Sequence, residues 1–413
     1  MNEVYFGDVY SISAIGFGQD EIFENLYENQ SPLANIRSLL EEATENKVVG
    51  RIPSERFNEK PIANKVVGNG PMEARYNYYA TRELLGEESL QTKLEGQKTA
   101  LFVGTMNNCY GVVGLRNGYR ICVDEKLGYT REVFDSKIGQ GFGYVHPMVP
   151  VYKIPNNVIG NLALDYKLSG ENANFFGEDS SSAALQEAFF KIRNGQYKRS
   201  IVSSSNYLFL NYLDFLLLEV QNFIRENPKI NPEKDHFFFP SEWACSFLLG
   251  TREELEDLER KPIARLRASY QINYPEKYYR RKLDQKVMNR LIDRTLNQGD
   301  LEFKDLDAIV FDNLDSKRQQ LQYFHARKKK EKTNTLLVSP TLVTGYSLCT
   351  HAATLTSIAI EMIKRQKVFS SYFEVVPDNP LMSHEAREQN LQRIGVFHQS
   401  LNNTLHFSII ERI

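Results

Sequence analysis

The chain has 413 residues, 42% hydrophobic and 12% aromatic, and its 50 basic and 52 acidic side chains leave a formal net charge of −2. That is enough for two domains or one large duplicated one, and the near balance of charge argues against a general nucleic-acid or membrane-surface role. Cys109, Cys122, Cys245 and Cys349 have no CxxC spacing, the opening "MNEVYFGDVYSISAIGFG" lacks the pattern of a signal peptide, and no run of about 18 apolar residues occurs, so the expectation is a cytoplasmic protein without disulfides, zinc or a membrane span.

In chain order, "VYSISAIG" reads as a strand and "DEIFENLYENQSPLANI" as a helix, followed by a second strand, "TALFVGTM". Next, "GEDSSSAALQEAFFKIRNGQYKRSIVSSSN", Gly177 to Asn206, has the layout of a turn, a helix and a buried strand. The pattern then restarts. "HFFFPSEWACSFLLG" and "IARLRASYQI" read as paired strands, "LDQKVMNRLIDRTLNQG" as an amphipathic helix, and "LDAIVFDN" and "NTLLVSP" as buried strands. "YSLCTHAATLTSIAIEMIKRQ" reads as a helix and "TLHFSII" as a closing strand. The alternation predicts a layered α/β fold in two similar halves, 1–235 and 236–413. The basic run His325 to Asn334 reads as a solvated loop, and "GNGP" (Gly68 to Pro71) and "GQGFG" (Gly139 to Gly143) as loops that do not sit as phosphate cradles between strand and helix.

The order of these segments resembles the β-ketoacyl synthases. "SISAIGFG", "GTMNN", "PNNVIGNLALDYKLSG", "SSAALQEAFFKIRNGQYKRSIVSSSN", "FFFPSEWACSFLLG", "LDAIVFDNLDS", "SPTLVTGYSLCTHAATLTSIAI" and "FHQSLNNTLHFSII" follow the family's order over nearly the whole chain. The resemblance implies a thiolase fold, with βαβαβαββ halves in an αβαβα arrangement. It also implies where the chemistry should lie. A ketosynthase needs a cysteine nucleophile and two histidines that stabilise the enolate made on decarboxylation. Here the nucleophile position falls on Glu178, the first histidine position on Asp312 and the second, after Thr344 and Gly345, on Tyr346. The family's C-terminal glycine-rich turn is replaced by "FHQSLNN", although Asn403 matches its asparagine.

A ketosynthase frame without its three catalytic groups is similar to the chain-length factors, or ketosynthase β subunits, of type II polyketide synthases. In the aromatic class the nucleophile position holds glutamine. The likeness implies a chain that is not an enzyme on its own. It would form a heterodimer with a catalytic ketosynthase, with acyl carrier protein as a further partner and no nucleic acid or membrane. It implies no cofactor bound by this chain; the partner complex uses phosphopantetheinylated acyl carrier protein and malonyl units. An aromatic octaketide-type product is the first expectation and an aryl polyene the second. In chain-length factors the residues that stop the chain follow the strand matching "ALFVG". If the segment there is helical, Tyr110, Val113, Gly114 and Asn117 share one face, as a tunnel wall or a dimer contact.

The residues allow plainer readings beside this one. Glu178 suits the positive end of a helix dipole, with Asp179 or Ser180 as cap. Cys349 and His351, two apart, do not face each other on a helix, and Cys245 and Cys109 read as core thiols. The seven histidines show no metal-ligand spacing, and His146 reads as a packed or surface residue. A divergent acyltransferase or hydrolase using Glu178, Asp312 or Tyr346 is the alternative.

Overall fold

The computed structural model describes residues 1–28, 50–58, 65–68, 70–86, 94, 99–106, 130–142, 157–208, 240–274, 284–312, 319–369, 386–400 and 404–413. Tyr110, Val113, Gly114, Asn117, Cys109, Cys122, His146 and Asn403 lie outside them. Ten strands carry the architecture. They are β1 (Val4–Ser13), β2 (Thr99–Thr105), β3 (Asn172–Phe176), β4 (Arg199–Asn206), β5 (Trp243–Gly250), β6 (Ala264–Asn273), β7 (Ala308–Phe311), β8 (Leu336–Val338), β9 (Arg393–Gln399) and β10 (Thr404–Glu411). The principal helices are α1 (Gln19–Glu28), α2 (Met72–Leu85), α3 (Asn157–Asp165), α4 (Ser180–Arg193), α5 (Gln285–Gly299), α6 (Gln319–Glu331) and α7 (His351–Arg365).

The strands run in the order β3-β2-β4-β5-β1-β6-β10-β9-β7-β8. Read outward from the middle, β1–β5 and β6–β10 each place the first strand innermost, then the fifth, fourth, second and third, so β5 (Trp243–Gly250) repeats with the first half although it follows residue 235. The directions repeat as well. β1 with β5 and β5 with β4 are antiparallel, while β4 with β2 and β2 with β3 are parallel. In the second set, β6 with β10 and β10 with β9 are antiparallel, while β9 with β7 and β7 with β8 are parallel. The two sets join where Val4, Tyr5 and Phe6 face Leu266, Arg265 and Ala264.

Side-chain alternation turns this sheet into five layers. Phe102, Val202 and Phe247 of the first set and Val310, Val396 and Ile410 of the second point into one shared core, where they meet Leu185 and Phe189 of α4 and Leu355, Ile358 and Met362 of α7. Alternate residues point outward: Leu101, Val103, Ile201 and Leu248 onto α2 and α3, and Ile309, Phe311, Phe397 and Phe407 onto α5 and α6. The middle helix α7 is buried at every residue from His351 to Ile363. Its small and apolar first half suits contact on all sides.

Three sequence expectations need correction, and one strand was missed. The segments read as paired strands, now β5 and β6, are not neighbours; they pair with β1 from its two sides. The basic run is not a loop but the end of α6: Gln320, Leu321, Tyr323 and Phe324 bury its first turns, and Lys328, Lys329 and Lys330 fall in the last turn, where cations suit the helix dipole. Most of "GQGFG" lies in a helix, Arg131–Phe142, whose start is capped by Thr130 Oγ1 accepting from Val133 N at 3.2 Å. β3 was not separately predicted, because "NANFF" is a short, half-exposed edge strand with no hydrophobic alternation.

Candidate functional site

The turn after β3 is fixed by backbone contacts. Gly177 takes φ +108°, and Gly104 of β2 has no room for a side chain, since a Cβ there would lie 2.8 Å from Ser180 C and Ser181 N. The close approach seats the start of α4 against the sheet and buries Glu178 to 6% exposure. Asp179 occupies the N-cap position, but its side chain does not cap. Its Oδ2 accepts instead from Thr404 Oγ1 at 3.1 Å and Gln271 Nε2 at 3.4 Å, which ties this turn to β6 and β10 of the second set.

In the second set, the chain leaves β7 at Asp312, closes β9 through His398 and enters α7 at His351. The three are fully buried or nearly so, and one ligating atom of each lies within 4.8 Å of the other two. Spacing in the sequence gave no sign of this grouping. Asp312 Oδ2 accepts from Gln399 N at 2.7 Å and pairs with His398 Nδ1 at 2.9 Å. In that bond His398 Nδ1 donates to the carboxylate. At His351, Ser347 N donates to Nδ1 at 3.3 Å, which places the proton on Nε2. Burial first, and the neighbouring His398 second, push the His351 pKa well below its ordinary value, so the ring is neutral.

Three buried atoms here have no hydrogen-bond partner: Asp312 Oδ1, His351 Nε2 and His398 Nε2. Asp312 Oδ1 accepts and His351 Nε2 donates. They match an oxygen that can both give and take hydrogen bonds, such as a water or hydroxyl group. As a metal set they fit less well, because the proton on His351 Nε2 occupies the position a cation would need. Tyr346 joins the group, its ring 4.7 Å from that of His351 and 6.4 Å from that of His398. Two of the three positions picked out in the sequence, Asp312 and Tyr346, therefore meet, and they do so around His351 and His398, which sequence reasoning missed. A His on the strand before the final hairpin and a His opening a small-residue helix were the available signals.

The described thiols are poor nucleophiles. Cys349 Sγ donates to Ser205 O at 3.2 Å, and its pKa is raised well above the ordinary value by burial and by the charges of Glu73 and Glu178. Cys245 is pushed up to about 12 by burial. Glu73, accepting from Met106 N at 2.7 Å, is pushed up to about 8 by burial and is largely protonated at neutral pH. The effect of Glu178 on Cys349 links the α4 turn to the segment that carries Tyr346 and His351.

No family model and no curated protein matches the sequence. Solved structures do. A β-ketoacyl synthase from Burkholderia phymatum is similar with a TM-score of 0.74 and 16% identity over 100% of both chains. A chain of a complex described as a type II polyketide synthase acyl carrier protein with its ketosynthase bound to the hexaketide is similar with a TM-score of 0.73 and 14% identity, again over 100% of both. A ketosynthase domain of the oxazolomycin system of Streptomyces albus is similar with a TM-score of 0.74 and 13% identity, over 100% of this chain and 75% of that one. The architecture is the thiolase-like ketosynthase fold. Among the described residues, no helix is long and apolar enough to cross a membrane.

Proposed function

We propose that this chain, built on the ketosynthase fold, is a non-catalytic chain-length factor that pairs with an active ketosynthase in a type II polyketide synthase. The observation that carries the reading is Glu178. At the turn where the fold presents its nucleophile stands a buried carboxylate, which forms no thioester, and the described thiols are held protonated. The chain would bind no cofactor itself, and the pair would draw malonyl units from phosphopantetheinylated acyl carrier protein. An aromatic octaketide-type product is favoured and an aryl polyene comes second. Cytoplasmic location follows as part of the same proposal.

A partner surface supports the reading. β3 ends the sheet path, so its outer edge pairs with no strand among the described residues. Phe176 on that edge is 45% exposed, and Leu164 on the adjacent α3 is 77% exposed. Apart from Met1 and Ile413, they are the exposed large hydrophobic residues among those described. An unpaired edge flanked by apolar side chains suits an obligate partner. A divergent acyltransferase or hydrolase is the second reading, favoured by the Asp312–His398 pair, in which a carboxylate orients a buried imidazole as in acid–base catalysis.

The test is co-expression with a complete ketosynthase and its carrier protein, with mass spectrometry of the acyl chains held on the purified complex. Chains on the partner's cysteine, lengthened by Tyr110→Ala and retained in Glu178→Ala, are expected. Phe176→Asp with Leu164→Asp is expected to weaken the heterodimer by at least about 10-fold. Loss of turnover in His398→Gln, with the complex intact, would move the enzyme reading ahead.

A further inference from the structure

At the seam where β1 meets β6, away from the candidate site, a cavity of about 240 Å³ opens between the C-terminal ends of α4 and α5. Arg193, Arg265 and Arg267 line it, together with Glu3, Gln298 and Asp300. Arg265 pairs with Glu3 at 2.7 Å and Glu411 at 3.4 Å; Arg267 shares Glu411 at 3.5 Å, and Arg393 holds the other oxygen of Glu411 at 2.8 Å. Three of the four guanidiniums here thus share two carboxylates, Glu3 and Glu411. The one left over is Arg193, whose Nη2 donates to Gln298 O at 3.3 Å and whose Nη1 is buried without a partner. Arg267 Nε donates to Gly299 O at 2.7 Å, so the helix ends hold two of the forks by their carbonyls. Burial, then the charges of Arg265 and Arg267, lower the Arg193 pKa. Arg193 is thus the one arginine of this group with no carboxylate partner among the described residues, its guanidinium lying 5.3 Å from the centre of the Phe189 ring.

We propose that this cavity is a binding site for a phosphate group, free or as the ester of a small metabolite. Converging guanidinium forks match a multiply charged tetrahedral oxyanion better than a single carboxylate. The volume lies below the roughly 300–1,000 Å³ of sites for drug-sized ligands, which limits the guest to a small one. The helix ends contribute carbonyls, so the attraction comes from the arginine side chains and not from helix dipoles. The site is independent of whether the chain is catalytic, because its residues are shared with neither the α4 turn nor the Asp312 group.

Calorimetric titration of the full chain at fixed ionic strength, with inorganic phosphate, glycerol 3-phosphate and acetate as probes, tests the assignment. One saturable phosphate site is expected, weakened by at least about 10-fold in Arg193→Gln and unchanged in Arg131→Gln, a surface control whose side chain is 93% exposed. Tighter binding of glycerol 3-phosphate assigns an ester, and equal or tighter binding of inorganic phosphate assigns the free ion. Arg193→Lys, which keeps the charge and loses the fork, is expected to fall between wild type and Arg193→Gln, and with Arg267→Gln it serves if Arg193→Gln does not fold. The proposal is overturned by the absence of saturable phosphate binding, by equal affinity in wild type and the cavity variants, or by acetate binding as tightly as phosphate.

Discussion

The two halves share a strand order, yet burial shifts acids in one and histidines in the other. In the first half the buried groups are acids. Glu73 is pushed up to about 8, and Glu242, which meets Arg51, Ile52 N, Leu208 N and Tyr76, is pushed up to about 7, in both cases chiefly by burial. In the second half the groups so shifted are histidines, beside the buried carboxylate of Asp312. His351 is pushed well below its ordinary value, and His406, which shares a hydrogen bond of 3.0 Å with Ser269, is pushed down to about 3 by burial and by His398. Desolvation disfavours whichever form is charged, so one scaffold can host either chemistry in its interior. The difference between the halves lies in which side chains they bury, not in how the strands are arranged.

The largest expected effect is on pH dependence. A carboxyl whose folded pKa lies above its unfolded value contributes stability that is complete below about 4.5 and lost as pH rises through about 8 for Glu73. Glu73→Gln should therefore gain on wild type as the pH is raised from 5 to 8. A base whose folded pKa is depressed loses stability in the opposite direction, as pH falls from 6.5 toward 3 for His406. His406→Gln should flatten the acid side. Thermal melts across pH 4 to 9 read both slopes, and an acid-side change in Glu73→Gln would break the contrast.

Next in size, Asp312→Ala strands two buried donors, Gln399 N–H and His398 Nδ1–H, and is expected to cost about 3 kcal/mol. Glu73→Ala strands only Met106 N–H among the bonds seen and should cost about half as much. Urea midpoints at pH 6 compare them. Equal losses would mean that the second half is no more dependent on its buried carboxylate than the first.

The smallest effect concerns two helix starts. Asp284 caps α5, its Oδ1 accepting from Lys286 N at 2.7 Å and Val287 N at 3.3 Å, so Asp284→Ala should lose about 1 kcal/mol. Asp179 holds the same position on α4 without capping it. In Asp179→Ala the loss should instead be coupled to Thr404, which a double-mutant cycle with Thr404→Val would reveal as a non-additive pair.

Much of this frame was legible in the sequence. Alternating apolar runs marked β2, β4, β5 and β7, and the full apolar character of α7 suited its place between the sheets. Partner choice was not legible, since β5 and β6 lie near each other in the chain while their pairing with β1 is decided by distant register. The basic end of α6 looked like loop because charge outweighed a buried face only four residues long. For the site, matching positions led to Asp312 and Tyr346. His351 and His398 escaped because 46 residues separate them and only the meeting of a strand end with a helix start brings their rings to 5.5 Å. Glu178 could be placed at its turn, but its burial depends on backbone packing that no residue pattern announces.

That packing sets the terms on which this position can change. Because Gly104 lets main chain rest on main chain beneath Ser180 and Ser181, the turn keeps its seat whatever side chain follows Gly177. Residue 178 is thus a socket in the frame: an engineer could refit it, or a lineage could empty it, without re-laying the sheet. A glycine in the neighbouring strand separates the history of the chemistry here from the history of the fold.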